Sequence, residues 1–497
     1  MKPKCLLGRD IVTGAMLKAT LAVLTRPVRW SLFVVVLFVL AACAPVGGAP
    51  EGAAGAPPSS PSAPTTKAEI QRRGDGAADR VTPKVLRLHG SNTLGLSLVP
   101  RLARGFLEKK GATDVVVNND GRERQHVWVQ ARWPGHEVSI EIHSPGTKVG
   151  FESLENGVCD IALASRPISA TEAERLKRLG DLTAPASETV IAMDGIAVIV
   201  HPNNPVTRLT VAQLESIFAG EATSWSGLGG RNVPVRVLAR DAKSGTHDAF
   251  TSLVMQRRRE LKAAELFEDS EALSRAVLDD EGAIGFVGLP YVRQAKVLAV
   301  LDGGSLPLFP TPFTVATEDY PLSRRLFLYA PPNPTEPMVQ DFIEFALSDE
   351  GQALVGEAGF VPLSLKAEAT HAPAGAPAKY SKLAAGATRL SVNFRFKLGS
   401  AALDTKALRD MDRLVTYLAA QTNRGRHVTL AGFADRQGKE PLNVALSKQR
   451  ADAVAALLAQ RGITPEEIDG FGSALPVAPN DSPEGRSRNR RVEVWVH

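Results

Sequence analysis

The sequence predicts an α/β protein: a large central domain of alternating strands and helices, followed by a smaller α+β domain. Three observations support this reading. Short apolar runs rich in β-branched residues alternate with amphipathic helical patterns from Val85 to Leu347, which argues for an α/β fold with mostly parallel strands. Two stretches, 43–80 and 367–388, are rich in small residues and proline, bury too little to order themselves, and mark a tether and a linker. The chain is also too long, at 497 residues, for one hydrophobic core. The resulting divisions are a leader over 1–42, the tether over 43–80, a central domain over 81–366, the linker over 367–388 and a C-terminal domain over 389–497.

The leader comes first. Arg26 and Arg29 precede the apolar run Trp30–Ala42, which is too short to span a bilayer as a mature helix and has the make-up of an export signal. The run closes on Leu40-Ala41-Ala42-Cys43, which resembles the lipobox of bacterial lipoproteins. That resemblance implies acylation of Cys43, which becomes the mature N-terminus. Ala44 and Pro45, in place of an aspartate, point in that family's sorting logic to a lipid anchor in the outer membrane. A plain export signal with an incidental cysteine is the alternative. Met16 is a second candidate start, because a leader counted from Met1 is long. With Cys43 lipidated, Cys159 has no partner and is expected as a buried free thiol. The net charge of +5 is mild and the two signs are interleaved, so no nucleic-acid footprint is present.

In the central domain the expected strands are Val85–His89, Val138–Ile142, Asp160–Ala164, Ile196–His201, Val235–Ala239, Ala283–Val287 and Leu326–Tyr329. The expected helices include Leu98–Lys109, Ala170–Leu179, Val211–Ala219, Ser244–Met255 and Val339–Leu347. Three polar loops follow strands and open helices: Gly90-Ser91-Asn92-Thr93-Leu94, Ser144-Pro145-Gly146-Thr147, and Arg240 through Thr246. Hydroxyls and free amides at a helix N-terminus suit an anion, and Arg240 can add a two-pronged contact. For any one loop, ordinary helix capping explains the same residues. Three such loops outside the carboxyl ends of strands favour an oxyanion site.

The runs GSNTL (90–94), DIALASRPIS (160–169), DGIAVIVHPNNP (194–205), RDAKSGTHDAF (240–250) and AIGFVG (283–288) resemble the phosphate-binding component of phosphate ABC transporters. That family has a two-lobed type II periplasmic-binding-protein fold. Carried over by position, the resemblance implies that phosphate or a similar oxyanion is held by Thr93, the Leu94 amide, Arg240, Ser244, Gly245 and Thr246. Ser144 and Thr147 are both candidates in the second loop. In the best-known members an aspartate after the third strand accepts the proton of hydrogen phosphate and rejects sulfate. Here that loop is Ala164-Ser165-Arg166-Pro167, so Ser165 and Arg166 stand at the position, and strict phosphate selectivity does not follow. A structural ion pair is the alternative role for Arg166. An ABC permease is a partner the family implies, although a tethered protein suits capture or sensing near the wall better than shuttling.

The C-terminal domain is expected to carry a strand over His427–Ala431, a turn over Asp435–Gly438 and a helix from about Pro441 to Leu458, with Leu442, Leu446, Ala453, Leu457 and Leu458 as its apolar residues. Asn443, Ser447 and Arg450 share a polar stripe on that helix, beside Asp435. An aspartate and an arginine on two rigid elements can hold a zwitterion, or can simply pair with each other. The runs FKLGSAAL (396–403), GFAD (432–435), NVALSKQRADAV (443–454) and PEGRSRNRRVEV (483–494) resemble the OmpA-like peptidoglycan-binding domain. The resemblance assigns Asp435 and Arg450 to the diaminopimelate of the stem peptide, with Asn443 in support. Phe433 stands where many members have histidine, which bears on the pocket rim.

Enzyme constellations are not found. No carboxylate pair, nucleophile elbow or phosphate-gripping glycine loop is present, and the nine histidines include no pair at metal-ligand spacing. No cofactor is expected. The expectation is an outer-membrane lipoprotein facing the periplasm that binds an oxyanion and is anchored to peptidoglycan. The other reading is an envelope-tethering protein whose central domain docks a protein instead of phosphate.

Overall fold

The computed structural model describes residues 84–119, 125–242, 244–255, 259–397 and 402–497. The expected leader, tether and Cys43 lie outside the described residues. The central strands are β1 (Lys84–Gly90), β2 (Thr113–Asn119), β3 (His126–Trp133), β4 (His136–His143), β5 (Ile161–Ala164), β6 (Glu188–Val200), β7 (Arg208–Thr210), β8 (Arg236–Arg240), β9 (Glu265–Phe267), β10 (Ala283–Gly288), β11 (Lys296–Val297), β12 (Ala299–Leu301) and β13 (Ser323–Tyr329). The central helices are α1 (Val99–Lys109), α2 (Thr147–Glu155), α3 (Ala170–Arg175), α4 (Val211–Phe218), α5 (Gly245–Leu253), α6 (Ser270–Leu278), α7 (Pro312–Ala316), α8 (Met338–Leu347) and α9 (Asp349–Glu357).

The main sheet runs in the order β2-β3-β4-β1-β5-β13-β6-β10-β8-β9. Two lobes share it. The long strand β6 pairs with β13 through its first half and with β10 through its second, so β6 and β13 carry the chain between lobes. This is the two-lobed type II periplasmic-binding-protein fold. The sheet is mixed rather than mostly parallel: β4-β1-β5 and β10-β8-β9 are parallel runs, and the remaining pairings are antiparallel. The hairpin through Gly135 and the returning strand β13 produce this, and strand–helix alternation cannot reveal either. Strands β2 and β3 were not among the expected elements. Each lobe has its own apolar filling: Phe106, Phe342 and Leu328 in the first, and Phe218, Phe250 and Phe286 in the second. Each fully buried side chain of this size contributes about 1.5–3 kcal/mol.

The C-terminal domain comprises β14 (Ala367–Glu368), α10 (Ala378–Ala385), β15 (Thr388–Arg395), α11 (Thr405–Ala419), β16 (Val428–Gly432), α12 (Glu440–Ala459), β17 (Glu467–Gly470), α13 (Pro483–Asn489) and β18 (Arg491–Val496). Its sheet order is β14-β15-β18-β16-β17. The expected linker therefore contains a paired strand and a helix. Tyr380 and Leu383 of α10 are buried with Phe433, Phe471 and Trp495, which offsets the ordering cost that small residues alone would leave uncompensated. Helix α12 buries Asn443, Ser447, Ala451, Val454 and Leu458, while Leu442 and Leu446 of the expected apolar stripe are exposed. It sits this close to the sheet because Gly432 and Gly470 lack side chains: a Cβ on Gly432 would lie 2.0 Å from the Ser447 carbonyl oxygen.

Candidate functional site

Strands β4, β1 and β5 are neighbours and parallel, so the loops that follow them leave the sheet at the same end. These loops interlock. The Ser91 amide donates to Leu163 O (2.9 Å) and the Gly146 amide to Gly90 O (2.8 Å). The Ser165 amide donates to Thr147 Oγ1 at 3.1 Å, and the two hydroxyls are 3.3 Å apart. From the other lobe, β8 delivers the Ser244–Thr246 turn. A Cβ on Gly245 would lie 1.7 Å from Thr93 Oγ1, so only glycine lets the two lobes meet here.

Arg324, on β13, holds this meeting point. Its guanidinium donates to Asp194 Oδ2 (2.7 and 2.9 Å), Gly245 O (2.6 Å) and Thr93 Oγ1 (3.2 Å), and the Arg324 and Asp194 side chains are only 6% and 5% exposed. Neither Arg324 nor its pairing with Asp194 was among the expected site features. The available signal was the Ser323-Arg324-Arg325 run entering an apolar strand.

The hydroxyls share one property. Thr93 Oγ1 accepts from Arg324, Thr147 Oγ1 from the Ser165 amide, and Ser244 Oγ from the Thr246 amide at 3.2 Å. Each has one of its two lone pairs occupied by a protein donor and an O–H that can be given to an anion. Leu94 is fully buried and opens the helical turn ahead of α1.

Three expected contacts lie elsewhere. The Arg240 guanidinium turns to Phe267 O (3.2 Å), Glu268 O (2.7 Å) and Ser270, so the structure does not bring it to Thr93. Ser144 is buried and donates to Gln125 O at 3.2 Å. Arg166 is gripped by both Glu172 oxygens at 2.8 Å and lies over Phe151, a local ion pair at the start of α3. Burial opposes ionisation of Glu172, but the Arg166 guanidinium and Ser169 donors outweigh it and hold the carboxyl down at about 2. Cys159 is a buried free thiol, and burial pushes it up to about 12. Beside Ser165, Arg166, Asp248 and Arg324 opens a cavity of about 440 Å³, whose far wall includes Arg395 and Arg488 of the C-terminal domain.

The second constellation lies in the C-terminal domain. Asp435 pairs with Arg490 at 2.9 Å rather than with Arg450, and accepts the Gln437 amide at 3.0 Å. Arg450 is half-buried with its guanidinium over the Phe396 ring, 5.7 Å from the centroid. Loss of hydration and the nearby Arg490 lower its pKa, and among the described residues it makes no ion pair or hydrogen bond. Arg490 Nη2 and Asn443 Nδ2 are buried donors without partners. Three unspent donor groups beside one carboxylate fit a ligand bearing both a carboxylate and an ammonium. Ser447 faces inward instead, accepting the Gly472 amide at 2.9 Å, and Phe433 is fully buried beneath Arg491 rather than on the rim. Among the described residues no group of acidic, histidine or cysteine side chains is arranged to hold a metal.

Comparison with known proteins agrees with this division. Residues 132–350 match the PBP superfamily domain, and residues 395–490 match the OmpA family. Protein SphX of Synechococcus elongatus is 33% identical over 46% of this chain and 71% of its own length. The phosphate-binding protein PstS of Staphylococcus saprophyticus is 32% identical over 46% of this chain and 73% of its own. Among solved structures, an ABC-type phosphate transport receptor from Vibrio cholerae aligns with 56% of this chain and 99% of its own, at 25% identity and a TM-score of 0.43. PstS from Borrelia burgdorferi covers 56% and 98% at 22% identity and a TM-score of 0.41.

Proposed function

Since the chain belongs, through its central domain, to the PstS family of phosphate-binding proteins and carries an OmpA family domain behind it, we propose that it captures phosphate or a similar oxyanion beside the cell wall. The observation that carries this reading is the set of hydroxyls on Thr93, Thr147 and Ser244, each of which already accepts one bond from a protein donor and has an O–H to give, with the Ser165 hydroxyl 3.3 Å from that of Thr147. The amides of Leu94 and Gly245 add donors at helix starts, while the Thr246 amide serves indirectly by capping onto Ser244 Oγ. Arg324 acts behind this set as the positioning residue, and Arg240 borders the site. With no carboxylate at the Ser165 position, discrimination against sulfate is weaker than an acceptor for the hydrogen phosphate proton would give.

Calorimetry on the purified full chain tests the reading. Phosphate is expected to bind one to one, and Thr93→Val to weaken it by about 1–3 kcal/mol, roughly 5- to 150-fold. If neither phosphate nor sulfate gives heat with the unaltered chain, the envelope-tethering reading replaces this one.

The C-terminal domain, in this reading, grips the diaminopimelate of peptidoglycan through Asp435, Arg450 and Asn443. Acylated Cys43, following Leu40-Ala41-Ala42, fastens the chain to the outer membrane. Cells fed labelled palmitate should yield labelled protein, and Cys43→Ser should yield none; label on the serine variant would remove the anchor from the proposal. Held at both ends, the protein suits local capture or sensing, with delivery to an ABC permease limited by the length of the tether.

A further inference from the structure

We propose that anion capture between the lobes and wall-peptide capture by the C-terminal domain are linked, each tightening the other. The inference rests on the reading of both pockets given above. Its basis is that the C-terminal domain is docked as a brace across both lobes, by residues that adjoin its own binding pocket.

The brace touches three places. On the first lobe, Thr405 bonds Glu188 and Arg409 donates to Pro185 O at 2.8 Å. On the second, Arg395 Nε meets Glu318 at 2.6 Å, Arg389 meets Asp319 at 2.9 Å, and Asn393 Nδ2 donates to Thr317 O at 2.8 Å. On the strand between them, Arg325 pairs with Asp404 at 2.9 Å, while Arg488 donates to Pro321 O (2.6 Å) and Ser323 O (3.1 Å). Glu318, Asp319, Arg389, Asn393 and Arg395 are all buried. Burial alone would raise the two carboxyls; the surrounding arginines hold both below their ordinary range instead. A buried junction of paired charges has one good geometry, because any slip strands a charge.

Its position makes the junction more than glue. Arg395 is followed by Phe396, the ring beneath Arg450. Arg488 lies two residues before Arg490, the partner of Asp435. On the other side, Arg325 follows Arg324, and successive strand residues point to opposite faces. Arg325 therefore meets Glu318 and Asp404 while Arg324 meets Thr93 and Gly245 across the lobes. The path from the wall pocket to the anion pocket is thus a contiguous series of neighbouring residues and paired charges.

Two-lobed binding proteins respond to ligand by hinge motion. A brace fixed to both lobes prefers one lobe arrangement, and here it is docked with Thr93 closed onto Gly245. A ligand that orders Asp435, Arg450 and Phe396 firms the segments that hold the dock, and so favours the closed lobes. Linkage is reciprocal, so phosphate must favour the wall ligand equally.

The test is phosphate calorimetry on the full chain with and without saturating meso-diaminopimelate. The phosphate Kd is expected to fall by about 5-fold or more when diaminopimelate is present, within the usual 5- to 150-fold span of such couplings. A Kd unchanged or raised overturns the linkage. The double variant Arg395→Met with Glu318→Leu removes the central ion pair of the dock while Arg325 keeps Asp404, and should bind each ligand with the effect of one on the other clearly reduced; coupling retained in full overturns the assigned path. Absent phosphate heat would instead refute the anion reading, and absent diaminopimelate heat the wall reading, so the three failures are told apart.

Discussion

Arg450→Ala is expected to move the protein from the pellet of purified sacculi to the supernatant while leaving its unfolding midpoint close to that of the unaltered chain. The asymmetry follows from what Arg450 touches. Its guanidinium is partly stripped of water, packed over Phe396 and committed to no acceptor among the described residues, so removing it strands no partner. Its charge is held ready for a carboxylate, and truncating one member of such a pair costs about 2–5 kcal/mol of binding, at least roughly 30-fold. Lysine is a poor substitute, because it offers a point charge where a planar fork lies on a ring. Asp435→Ala is the less clean variant. It should also abolish pelleting, but it leaves Arg490, already short of one partner, with an unpaired buried charge. Pelleting that survives Arg450→Ala would refute the wall-binding assignment.

What sequence could show about these sites depended on how far each signal reaches along the chain. The loops at Thr93, Thr147 and Ser244 are local: a strand, a hydroxyl and a helix start within a few residues. Their convergence follows once β4, β1 and β5 are neighbours. The Arg324–Asp194 pair was hidden because its members are 130 residues apart and meet only where β13 returns beside β6. Arg240 misled for the opposite reason. Its loop position matches the family pattern, yet the direction of a long side chain depends on the Phe267–Ser270 segment, which lies far off in sequence. Helix α12 misled through composition in its first half: the face buried there is small and polar against two glycines, so Leu442 and Leu446 are exposed, while Leu458 at the other end is buried as expected. The 367–388 stretch looked like a linker because one tyrosine and one leucine among small residues are a weak signal until the aromatic cluster that receives them is known.

Arg324→Ala should cost about 3–5 kcal/mol of stability, because it leaves Asp194 as an unpaired and almost wholly buried charge. Phosphate affinity should fall with it, which by itself would not separate a structural role from a role in the site. The informative variant removes both charges. Arg324→Met with Asp194→Leu replaces a buried pair by apolar groups of similar volume, and such replacements are often neutral or stabilising. Its urea midpoint is therefore expected at or above that of the unaltered chain. Calorimetry should still find phosphate binding lost, for a specific reason: Arg324 Nη2 occupies a lone pair of Thr93 and Nη1 engages Gly245 O, which fixes the Thr93 hydroxyl as a donor and holds the Gly245 turn against it. Without that guanidinium the Thr93 hydroxyl is free to turn its hydrogen elsewhere, and nothing draws the two lobes into register. A double variant that folds well and binds phosphate as tightly as before would show that Arg324 only fills the core. One that folds well and binds nothing would show that an anion site can rest on a cation that never touches the anion.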